Sequence, residues 1–74
     1  MLGRREQAES DVWAMCERLQ HLVNTIHTEG EAEDRRSAPP EYRRTTELWV
    51  EIAKVAANIG VIATTAAGDT LILR

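Results

Sequence analysis

The chain has no phenylalanine, one cysteine, two prolines and a single lysine, and each shortage narrows what it can be. One thiol, Cys16, excludes an internal disulfide. Cys16, His21 and His27 show neither CxxC nor HxxxH spacing, so the sequence offers no zinc-ligand set. With 74 residues, the chain forms one domain at most and buries only about 60% of the surface its unfolded form exposes. Chains of that size lean on disulfides, a metal or oligomerisation. Self-association is the support left.

One-sided charge is also missing. Nine basic residues face twelve acidic ones: three against five over residues 1–30, four against four over 31–44, and two against three over 45–74. That balance speaks against general nucleic-acid binding. Glu6, Gln7 and Glu9 follow Arg4 and Arg5, where a signal peptide would place an apolar run. The cytoplasm is therefore the expected address. The uncharged run from Val55 to Ala67, which ends before the turn candidate Gly68, is thirteen residues long, against the roughly 20 that a membrane span needs, so no membrane partner is expected. Eight arginines to one lysine, with ten alanines, fit coding from a high-GC genome such as that of an actinobacterium or its phage.

What is present is periodicity. Ala8, Val12, Met15, Leu19, Leu22 and Ile26 recur at spacings of four and three, one arc of a helix over about residues 5–28. Glu6, Glu9 and Asp11 suit its N-terminal end, and Gly30 supplies a stop. Gly30, mixed charges and Pro39-Pro40 then predict a loop over 29–39. A second helix is expected over about 40–59, with Leu48, Ile52, Val55 and Ile59 as its stripe and Asn58 and Gly60 as its end.

For the tail, the β-branched residues Val61, Ile62, Thr64, Thr65 and Thr70 disfavour further helix. VIATT and TLILR flank AAGD, a pattern that predicts a β-hairpin over 61–74 with Gly68 in its turn. A glycine-bulge turn pairs Val61 with Leu73 and Ala63 with Leu71; a two-residue turn pairs Thr65 with Ile72 instead. The expected fold class is α+β, a two-helix hairpin followed by a C-terminal β-hairpin, in a dimer or higher oligomer.

Candidate chemistry is sparse. Cys16 reads as a small buried hydrophobe, and eleven residues separate it from His27, about 16 Å along a helix and too far for a shared metal or a catalytic pair. No catalytic residue, metal or cofactor is expected, and no enzyme. Arg35, Arg36, Arg43 and Arg44 bracket the prolines as candidate contacts for an anion or acidic partner, with Glu31, Glu33, Asp34 and Glu41 among them. Val12, Met15, Leu19, Leu22 and Ile26 also read as a and d positions of a short heptad run. With Trp13, Ile62 and Ile72 they are the candidate interface residues. Trp49 reads as core packing.

Three functions follow in order. The first is a protein-interaction or regulatory module acting as a homo-oligomer, with a heterologous protein partner as a further possibility. The second is DNA binding. Residues 48–74, LWVEIAKVAANIGVIATTAAGDTLILR, resemble the last helix and β-hairpin wing of a winged-helix domain. That resemblance implies a recognition helix, yet this one offers Glu47, Glu51 and a single Lys54. The third is a small membrane-associated protein using residues 48–67.

Overall fold

The computed structural model describes residues 3–72, with the side chain of Ile72 outside that description. Helix α1 runs Arg4–Arg36, a single 3-10 turn occupies Pro40–Tyr42, and helix α2 runs Arg44–Ile72. The two helices lie antiparallel: Arg4 pairs with Asp69 at 3.8 Å, Arg18 with Glu51 at 3.5 Å, and Glu33 with Thr45. The result is a rod of 56 × 20 × 15 Å.

One periodic seam on each helix holds the rod together. Ala8, Val12, Met15, Leu19, Leu22, Ile26, Glu29 and Glu33 are the half-buried or buried residues of α1 at alternating spacings of four and three. On α2 the matching series is Thr45, Leu48, Ile52, Val55, Ile59, Ile62, Ala66 and Asp69. A repeat averaging 3.5 residues keeps both seams facing each other along an antiparallel coiled-coil hairpin.

Two expectations are overturned here. Among the described residues there is no strand, so the α+β class and the C-terminal β-hairpin are wrong; the fold is all-α. Residues 61–72 continue α2, and Leu73 and Arg74 lie outside the described residues. The physical reason is that the 3-4 seam does not stop at Gly60. Ile62, Ala66 and Asp69 stay in phase with Val55 and Ile59, and burial along α1 outweighs local β propensity. Two of the threonines that argued against helix are accommodated in it. Thr64 Oγ1 donates to the Gly60 carbonyl at 2.8 Å, and Thr70 Oγ1 to the Ala66 carbonyl at 2.9 Å. Gly68 has no positive φ and supplies no turn.

Helix α1 also passes its expected stop. Gly30 lies within it, half-buried opposite the start of α2, where an added Cβ would meet Thr45 Cγ2 at 3.9 Å. The actual stop is Ser37, in the left-handed region at φ 53°, ψ 40°. Its N–H donates to the Asp34 carbonyl at 3.1 Å, and that of Ala38 to the Glu33 carbonyl at 3.0 Å. This is the paired closure of a Schellman motif. At the other end Gly3 has no side chain to offer, so only half a capping box forms: its N–H donates to Glu6 Oε2 at 3.3 Å.

Candidate interaction surface

The closed end of the hairpin is fastened by one buried acid. Glu33 ends the α1 seam and is 1% exposed. Its Oε2 accepts the Thr45 hydroxyl at 2.7 Å and its Oε1 the Thr45 N–H at 3.2 Å. Glu33 thereby does for α2 what an N-cap side chain does for its own helix: it satisfies an orphan N–H and sets negative charge at the positive end of the dipole. Desolvation pushes its pKa up. The Thr45 hydroxyl, the Thr45 and Arg44 N–H groups and the nearby Arg43 charge push it down and prevail, so it lies below the ordinary glutamate value.

Arg43 completes this fastening. Its Nε donates to the Ala38 carbonyl at 2.8 Å and its Nη1 to Asp34 Oδ1 at 3.1 Å. The four loop arginines therefore do not act as one group. Arg43 is half-buried and bound within the chain, while Arg35, Arg36 and Arg44 are exposed. No side-chain signal in the sequence singled out Glu33. What could have found it is phase, since it falls seven residues after Ile26 on the same arc.

The remaining candidates divide by face. Val12, Met15, Leu19, Leu22, Ile26 and Ile62 all belong to the intramolecular seam, with Leu22 at 5% exposure and Val55, on the facing seam of α2, at 6%. These two are the only buried apolar side chains among the described residues. Trp13 is 70% exposed and Trp49 57%, so Trp49 is not core. Ile72 closes α2 with its side chain outside the described residues. Cys16 is exposed, not buried.

At the open end, a cleft of about 1200 Å³ lies between the first turns of α1 and the last turns of α2. Ala8, Val61, Ile62 and Ala66 form its apolar walls, and the Arg4–Asp69 pair belongs to the same end. Among the described residues no cluster of three or more metal-ligating side chains occurs.

The larger feature is the surface as a whole. The chain exposes 5962 Å², whereas a compact monomer of its 8.3 kDa exposes about 4600 Å². The excess is roughly 1400 Å², and a standard interface takes about 800 Å² from each partner. Compared with known proteins, the chain matches no family model, no curated protein and no solved structure.

Proposed function

We propose that this chain is a protein-interaction module that works as a homo-oligomer, its helical hairpin serving as the repeating unit. The surface excess carries the reading. Two buried apolar side chains are a small core for a 74-residue chain, and Trp49, Val50, Val61 and Leu71 stand exposed along one helix. A helix apolar around most of its girth is normally covered on every side. Copies of the same hairpin are the cover always at hand. Residues 61–72, which suggested a DNA-binding wing, are helical, so the geometry lends that reading nothing.

One observation favours a second reading, association of α2 with a membrane. Residues Arg44–Leu71 are long and apolar enough to cross one, and only 6% of the most apolar window is buried. Charge placement favours the first. Lys54 and Asp69 bound fourteen uncharged residues, about 21 Å of helix against a hydrocarbon core of about 30 Å. Light scattering on protein purified without detergent separates the two. A soluble multiple of 8.3 kDa is the expected result. Recovery only from the membrane pellet would favour the second reading, and a soluble monomer would reject both.

A further inference from the structure

We infer that the second copy docks on one particular face of α2, antiparallel, with the two-fold axis passing beside Gly60. The inference rests on the homo-oligomer reading and adds where and how the copies meet.

Helix α2 carries two seams, not one. Beside the buried series runs a second, Trp49, Ala53, Ala56, Gly60, Ala63 and Ala67, with Leu71 one turn further. Its spacings are again four and three, and every member is exposed. At about 100° per residue, all the charged residues of α2 (Arg44, Glu47, Glu51, Lys54 and Asp69) fall off this face. From Trp49 to Leu71 this exposed, uncharged strip takes in 23 residues and is about 33 Å long. The hairpin itself leaves it uncovered.

Its order of sizes identifies the occupant. In an antiparallel pair centred on Gly60, Trp49 of one copy meets Leu71 of the other, Ala53 meets Ala67, and Ala56 meets Ala63 and Thr64. Bulky residues thus oppose bulky ones at the two ends, and small residues oppose small ones between. Such a face is complementary to itself, which is what a two-fold isologous interface requires. The small centre lets the helix axes approach toward the near end of the 8–10 Å range. Trp49 then serves as the anchor at each end. Over the whole chain, the excess of roughly 1400 Å² is larger than the about 800 Å² that one side of a standard interface takes, so a second copy can be seated.

Site-directed cross-linking tests the arrangement. In a Cys16→Ser background, Gly60→Cys places one thiol beside the axis, where an added Cβ meets nothing within 4 Å in the single hairpin. Mild oxidation is expected to give a covalent dimer with Gly60→Cys and none with Val50→Cys, whose two copies lie about 30 Å apart in an antiparallel pair, because bridged Cβ atoms must come within about 3.5–4.5 Å. Ala56→Glu is expected to weaken association at least tenfold. An oligomer that leaves Gly60→Cys unlinked, or that Ala56→Glu does not disturb, would overturn this face while leaving the homo-oligomer reading standing. A parent chain of 8.3 kDa at every concentration would overturn both.

Discussion

Ser37 turns the chain out of α1 at φ 53°, ψ 40°, where a side chain costs about 1–2 kcal/mol that glycine avoids. Glycine in turn loses more freedom on folding, by about 0.5–1 kcal/mol. Ser37→Gly should therefore stabilise the fold by about 0.5–1 kcal/mol, read as a higher midpoint in urea; a lower midpoint would mean that the serine side chain has a role of its own. Glu33 carries a pH signature. Its carboxylate has a depressed pKa in the fold, so the folded state binds its proton less readily than the unfolded chain does. The stability it confers is fully present above the unfolded value of about 4.3 and is lost as pH falls through the lower folded value. Glu33→Gln should lower stability at neutral pH and flatten its acid dependence. An unchanged acid limb would show that the Thr45 contact does not hold the hairpin.

At the scale of the element, the decisive fact is that α2 does not end at Gly60. In a β-turn, Gly68→Ala would be costly. Within a helix, where the added Cβ meets nothing within 4 Å, it should stabilise by about 0.5–1 kcal/mol. Thermal melts followed at 222 nm decide between these signs. Neighbours on α1 should differ as sharply. Leu22→Ala empties the buried seam and should cost about 2–5 kcal/mol, enough to unfold a domain of this size, while Val23→Ala, on an exposed residue, should stay within about 0.5 kcal/mol. Equal effects at the two positions would mean that the seam is misplaced.

These elements also show what the residues disclosed before the structure did. The inward arcs Val12–Ile26 and Leu48–Ile59 were legible because burial imposes a 3.5-residue beat that survives without any partner in view. The helix ends were not. Gly30, Gly60 and the threonines carry local preferences that oppose helix, and only the facing helix outweighs them. Trp49 misled for a related reason: its arc keeps the same four-and-three beat as the inward one, yet the facing helix does not cover it.

For the whole molecule, shape governs stability. The radius of gyration is 16.9 Å, against about 11 Å for a compact chain of this length. A two-helix rod brings few side chains together, so its folding is expected to depend on a neighbour. Association that favours the folded state raises the melting temperature with concentration. The direct measurement is thermal unfolding by circular dichroism from one to one hundred micromolar chain. A folding unit that depends on its neighbour should show a melting temperature that climbs steadily over that range. One cooperative transition at the same temperature throughout, from a species of 8.3 kDa, would contradict it.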